Sequence, residues 1–214
     1  MTNVLLGVTG SVAAIRTPAL CAALRAAGHS VKVVATASAE YFFDPATLEA
    51  DEFVRDADEW PGRSQGKRWV RGEGVLHIEL RRWADVLLIA PLDANTLAKL
   101  ALGLSDNCLT CVHRAWSPDR PVILAPAMNT LMWESRITAR HLRTLWSDHA
   151  DIGALEPAPS HDPAEWVKRI NGSCRHLRIV GPVSKTLACG DEGMGAMAEV
   201  GELAAATAAA SAGG

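Results

Sequence analysis

The chain has 214 residues, 49% hydrophobic and 21% charged, which suits one domain with a full apolar core and argues against disorder. Its 21 Lys and Arg against 24 Asp and Glu leave a net charge of -3, so no basic excess exists to displace counterions from phosphates, and a nucleic-acid binder acting by bulk electrostatics is ruled against. No run approaches the roughly 18 apolar residues of a membrane span. The N-terminal residues lack the basic start of a signal peptide, and five scattered cysteines read as reduced thiols, so the expectation is a soluble cytoplasmic domain. Seven Trp against three Phe and one Tyr read as core or interface anchors.

In chain order, Val4–Val8 is a short apolar run closed by the turn Thr9-Gly10-Ser11. Ala13, Ala14, Leu20, Leu24 and Ala27 then recur at helical spacing, with Gly28 as the stop, and Val31–Ala35 is a second strand. Two strands joined by a helix imply a parallel sheet covered on both faces. Residues 56–74 carry Pro61 and four glycines among charges and read as a surface loop. Val86–Ala90, before Pro91, and Val122–Ala125, before Pro126, are continuous apolar runs of the buried-strand type. Helical patterns follow each, over 95–104 and 130–146. The stretch 156–178 opens on Pro157, Pro159 and Pro163 and offers a short helix around Trp166, and the alanine-rich end reads as a tail, 204–214, that frays after one helix. The expected architecture is a single α/β domain over 1–203, a Rossmann-like (flavodoxin-like) doubly wound parallel sheet sandwich.

The first turn sits where a phosphate-binding turn belongs, after a strand and opening a helix, so backbone N–H groups and the Ser11 hydroxyl would accept an anion. It is not a Walker A loop, and the second strand ends in Ala35-Thr36-Ala37-Ser38, with no acidic residue for an adenosine ribose. Small hydroxyls there suit a mononucleotide such as FMN better than NAD; a tight turn without a ligand is the alternative. Asp93-Ala94-Asn95-Thr96 and Pro126-Ala127-Met128-Asn129 each follow a strand end, where open α/β sheets bind ligands, although helix capping by Asp93 or Asn95 accounts equally well for the first. His77 lies among apolar residues, a pattern more often found for a structural histidine than for a functional one. The other six histidines show no metal-ligand spacing, so no metal is expected. Cys108 and Cys111 fall in an apolar segment and read as small buried hydrophobes, whereas Cys189 stands in a glycine-rich loop, either as an acid or nucleophile or as an incidental thiol.

Taken together and in order, Gly10-Ser11-Val12-Ala13-Ala14, the run from His77 to Asp85, Ala90 to Thr96, Pro126 to Asn129, and Ala188-Cys189-Gly190-Asp191 resemble the homo-oligomeric flavin-containing cysteine decarboxylases. The similarity is greatest to the phosphopantothenoylcysteine decarboxylases of coenzyme A biosynthesis, and it covers about residues 3 to 203. The resemblance implies FMN-dependent decarboxylation of an N-acylated cysteine with a free carboxylate. Direct CO2 loss would leave a carbanion without a sink; oxidation of CH2–SH to a thioaldehyde first supplies one, and the cofactor carries that step. By position, the resemblance makes His77 the base or proton relay and Cys189 the acid that completes the reduction. It assigns Asn129, with Thr186 and Ala188, to the substrate. It assigns Gly10, Ser11, Val12, Thr36, Ser38, Asp93, Ala94, Asn95, Thr96 and Ala127 to FMN. It also implies trimers, or dodecamers built from them, with active sites between subunits; Trp83, Trp116 and Met132-Trp133 are the candidate anchors.

Two departures bear on substrate choice. Thr186 stands where the coenzyme A type carries Arg or Lys, and residues 160–178 read as an insertion. Both favour the rival expectation, oxidative decarboxylation of a C-terminal peptidyl cysteine to an aminoenethiol, whereas Cys189 favours the complete, redox-neutral reaction. A flavin prenyltransferase is disfavoured by the last two motifs. A phosphatase-inhibiting subunit is disfavoured because the chain has no long acidic extension. The absence of a ligase domain in this chain is neutral.

Overall fold

The computed structural model describes residues 1–48, 50–151, 158–186 and 192–212. Among them six strands form one parallel sheet: β1 (Asn3–Val8), β2 (Ser30–Ala35), β3 (Glu52–Arg55), β4 (Val86–Leu92), β5 (Val122–Pro126) and β6 (Leu177–Ile179). Their order is β3-β2-β1-β4-β5-β6, the Rossmann order with its switch between β1 and β4. Without the short edge strand β3 it reduces to the flavodoxin-like order, so the expected architecture is the observed one.

The apolar runs are continuous because both faces of the sheet are covered. Val4, Leu6 and Val8 with Leu88, Ala90, Ile123 and Ala125 belong to one core, and Leu5, Leu87, Ile89, Val122 and Leu124 to the other. This is the period-2 alternation of a strand with both sides buried. Helix α1 (Thr17–Ala26) covers the first face through Leu20, Cys21 and Leu24 and ends before Gly28, whose φ of +86° is one that L side chains rarely adopt. Helices α2 (Leu76–Trp83), α3 (Ala94–Leu102), α4 (Cys108–Arg114), α5 (Thr130–Trp133), α6 (Arg136–His149) and α7 (Pro163–Ser173) cover the second, and α8 (Val200–Ala212) returns to the first beside α1. Each Leu or Ile fully withdrawn from water contributes about 1.5–3 kcal/mol, so the two cores dominate stability.

Several expectations are corrected. The helix expected over 130–146 breaks into α5 and α6, because Ser135 caps a new start by accepting from Ile137 N–H at 3.2 Å, while the Thr138 hydroxyl donates to the Met132 carbonyl at 2.6 Å across the break. Strand β4 continues through Pro91 to Leu92, with a register irregularity beyond Ile89. Residues 160–178 are not an appended insertion. They supply α7 and the edge strand β6, with Trp166 fully buried 6.0 Å from Trp146 and Leu177 paired with Val122. The alanine-rich end is helical to Ala212, with Leu203 and Thr207 buried against the first face, so a boundary at 203 falls inside α8. Trp133 belongs to the intrachain core, and only its neighbour Met132 is exposed. Trp83 and Trp116 are partly buried, the first beneath Lys32 Nζ and the second donating to the Arg120 carbonyl at 3.2 Å.

A separate antiparallel hairpin, β7 (Val183–Thr186) and β8 (Glu192–Ala196), follows the sheet.

Candidate active site

The C-terminal ends of β1, β2, β4 and β5 bring together the residues expected around the cofactor. Gly10 sits so close to its neighbours that a Cβ there would overlap the Ser38 hydroxyl and lie 3.3 Å from Asp93 Oδ2. Thr36 Oγ1 and Ser38 Oγ are 3.3 Å apart, and Ser11 Oγ accepts from Ala13 N–H at 3.4 Å. Asp93 caps α3 by accepting from Thr96 N–H at 2.6 Å, which leaves Ala94 and Asn95 in the first turn of that helix. Ala127 is buried and donates its N–H to the Leu92 carbonyl at 2.9 Å, while Val12 is exposed beside the first turn. Thr9, fully buried and not singled out by the sequence, joins the two central turns: its hydroxyl donates to the Pro91 carbonyl at 2.8 Å and accepts from Asp93 N–H at 2.7 Å.

This cradle fits a mononucleotide phosphate. A residue without a side chain leaves room for close approach, three hydroxyls surround it, and it lies between two helix starts. The nearby Arg16 is committed to Glu199 at 2.5 Å, so the cradle offers dipoles and hydroxyls instead of a formal cation.

The hairpin lies over the end of β5. Met128 N–H donates to the Gly195 carbonyl at 2.9 Å, and at Gly195, with φ +146°, a Cβ would collide with the Met128 carbonyl. Gly193 approaches Thr130, whose buried hydroxyl would stand 2.5 Å from a Cβ at that glycine. Between them Asn129 caps α5, its Oδ1 accepting from Leu131 N–H at 2.9 Å. The register pairs Thr186 with Glu192, so the two strands bracket residues 187–191. Ala188 and Cys189 lie outside the described residues, as does the side chain of Thr186. The Lys185 ammonium beside them donates to Glu199, which Lys185 first and Arg16 second hold below the usual carboxylate pKa range.

His77 occupies the first turn of α2 and is held by Glu59, a residue the sequence reading left in a surface loop. Glu59 Oε1 lies 2.5 Å from His77 Nδ1, and Oε2 accepts from His77 N–H at 3.1 Å. The Glu59 side chain is 2% exposed and that of His77 22% exposed. The loop lies at the surface, as expected, with Glu59 as its buried exception. Its Trp60, Arg63 and Trp69 line, with His77, a cleft of about 330 Å³. Asp56 Oδ1 accepts from Cys108 N–H at 2.8 Å, tying the loop to α4. Burial, then Glu59, raises the Cys108 thiol well above its ordinary pKa, and burial likewise raises Cys111. Cys108 is the buried packing residue expected, whereas Cys111 is only partly buried and its thiol donates to the Ser105 carbonyl at 3.3 Å.

Helix α2, which carries His77, packs into the same core as α3, whose first turn carries one side of the cradle, while the turn after β1 leads into the other core. A larger cavity of about 570 Å³ contains His113, His149 and His176, at the end of the sheet where β5 and β6 begin. Burial lowers the pKa of His113 to about 4 and also lowers that of His149, and no described group of His, Cys, Asp and Glu could hold a metal ion.

A family model described as Flavoprotein matches residues 1–211. Phosphopantothenoylcysteine decarboxylase of Mus musculus is 44% identical over 204 residues, 95% of this chain and 84% of the relative. A solved cysteine-to-serine variant of PPC decarboxylase, complexed with pantothenoylaminoethenethiol, superposes with a TM-score of 0.76 at 40% identity over 97% of each chain. The FMN binding protein AtHal3 gives 0.72 at 41% identity over 97% of this chain and 95% of that one. The FMN-dependent cysteine decarboxylase SpaF gives 0.66 at 26% identity over 99% and 98%.

Proposed function

The chain belongs to the Flavoprotein family, and from that premise we infer an FMN-dependent decarboxylase that converts 4'-phosphopantothenoylcysteine to 4'-phosphopantetheine. The observation that carries the reading is the docking of β8 on Met128, Asn129 and Thr130. It sets the strands that bracket Cys189 beside the strand end that carries Asn129.

In this reading Ser11, Thr36 and Ser38 bind the FMN phosphate, and Thr9 fixes the spacing between the two central turns. When bound, FMN supplies the two-electron oxidation of the substrate CH2–SH and the later return of those electrons. His77 takes the thiol proton, as a general base of this type contributes about 10²–10⁴-fold. Asn129 orients the substrate carboxylate, which leaves as CO2, and Cys189 donates the proton that completes the product thiol. The reading includes a homo-oligomer with active sites between subunits, a trimer or a dodecamer built from trimers. A role in coenzyme A biosynthesis and a cytoplasmic location accompany the reading; among the described residues no helix is long and apolar enough to cross a membrane.

The second reading, a peptidyl-cysteine decarboxylase, retains one observation in its favour, Thr186 in place of a basic residue. Residues 160–178 no longer support it, since they build the sheet edge. Cys189→Ser tests the inferred chemistry. The variant is expected to release CO2 and to accumulate a product lighter by two further hydrogens, an enethiol; the ordinary thiol product at the wild-type rate would remove Cys189 from the reaction.

A further inference from the structure

We propose that Glu59 is the positioning residue that fixes the tautomer of His77, through a two-point contact that only a carboxylate can make with both acceptors. The inference rests on His77 being the base, and the contact itself comes from the geometry alone. The backbone N–H of His77 can only donate, so Glu59 Oε2 at 3.1 Å accepts from it. The other oxygen, 2.5 Å from Nδ1, is an acceptor as well while the carboxylate is ionised. In the neutral imidazole the proton must therefore sit on Nδ1. The lone pair is then on Nε2, at the ring edge away from Glu59, on a ring that lines the cleft beside Trp60 and Trp69. Carboxylates orient catalytic histidines on unrelated folds by the same logic.

Three neighbours keep this carboxylate in place. It stands at the start of α2, where no side chain of the preceding Val75 caps the helix, so it satisfies one exposed N–H and faces the positive end of the helix dipole. The Cys108 thiol on α4 lies close enough for the Glu59 charge to add to burial in raising its pKa, and Asp56 anchors the Cys108 backbone at 2.8 Å. Asp56 and Glu59 lie in one short 3-10 turn, so the loop that closes the cleft also fixes the base.

A sharp consequence concerns glutamine, which matches glutamate in size but has one acceptor and one donor. Its oxygen must serve the His77 N–H, which turns its NH2 group toward Nδ1. Nδ1 must then accept, and the proton moves to Nε2. Glu59→Gln is thus expected to invert the tautomer and abolish the base while keeping volume and hydrogen-bond count.

The test uses the FMN-loaded protein with 15N-labelled histidine, and His77→Asn identifies the His77 signals. Long-range 1H–15N spectra of the neutral ring are expected to show a protonated Nδ1 and bare Nε2 in wild type, reversed in Glu59→Gln. Turnover of phosphopantothenoylcysteine is expected to fall about 100-fold or more in kcat, with a smaller change in KM and FMN retained. Glu59→Gln combined with His77→Asn should be no slower than His77→Asn alone, because residues acting as a unit are not additive. A bare Nδ1 in wild type, or an unchanged tautomer in Glu59→Gln, would overturn the assignment to Glu59. An inverted tautomer with wild-type turnover would leave that assignment standing and remove His77 as the base.

Discussion

Asn129 shows how much one side chain is asked to do. Its Oδ1 caps α5 through Leu131 N–H at 2.9 Å, and the proposed substrate carboxylate approaches the same residue. Aspartate caps a helix as well as asparagine does, so Asn129→Asp retains the local fold and adds only a charge. Repulsion between two carboxylates should raise KM for the substrate about tenfold or more, with FMN content unchanged. A wild-type KM in steady-state assays would contradict the placement. Asn129 was legible in the sequence because it closes a motif at a strand end. Glu59 was not: its partner lies 18 residues away across a segment rich in glycine and charge, and nothing local distinguishes it from Asp56 or Asp58. Thr9 was missed for a related reason, since a hydroxyl that bridges two turns 82 residues apart leaves no local signal.

Among the elements, the hairpin is the one whose seating matters most to function. Gly195 at φ +146° faces the Met128 carbonyl, and both the dihedral and the space exclude a side chain. Gly195→Ala should lift β8 from the end of β5, lowering kcat/KM about tenfold or more while the sheet and its FMN persist. Equal kcat/KM in the purified, flavin-loaded variant would show that the seating is dispensable. The central strands were readable because burial on both faces writes itself as an unbroken apolar run, as in Val86–Ala90. The edges were not. Strand β3 has one buried residue in four and β6 is three residues long, too short for any period to register. Helix α8 misled because alanine has little apolar area, yet small residues allow close approach to α1, and Leu203 is fully buried there. The break between α5 and α6 turns on one serine cap, which an apolar period cannot reveal.

For the molecule as a whole, acid stability separates two kinds of group. Burial lowers His113 from 6.5 to about 4, so the unfolded chain binds more protons between those values. The stability this contributes is complete above pH 6.5 and is lost as pH falls toward 4. His149, lowered by burial as well, acts in the same direction. Asp51, held below the ordinary carboxylate range chiefly by Arg25, loses its contribution only at lower pH, below its ordinary value of 3.8. Urea denaturation across this range should show stability falling with pH, and His113→Gln should remove up to about 1.4 kcal/mol per pH unit of that slope. An identical slope in the variant would assign the acid sensitivity elsewhere.

The cradle at the switch point, the hairpin over β5 and the His77–Glu59 pair all converge on one reaction and one substrate class. The most direct test is mass spectrometry of products formed by the purified, flavin-loaded wild-type protein from phosphopantothenoylcysteine and, separately, from a peptide ending in cysteine. The account predicts loss of CO2 alone from the pantothenoyl substrate, with its thiol intact, and little turnover of the peptide. Loss of CO2 and two hydrogens from the peptide, with the pantothenoyl substrate untouched, would contradict it and leave Thr186 marking a peptide enzyme.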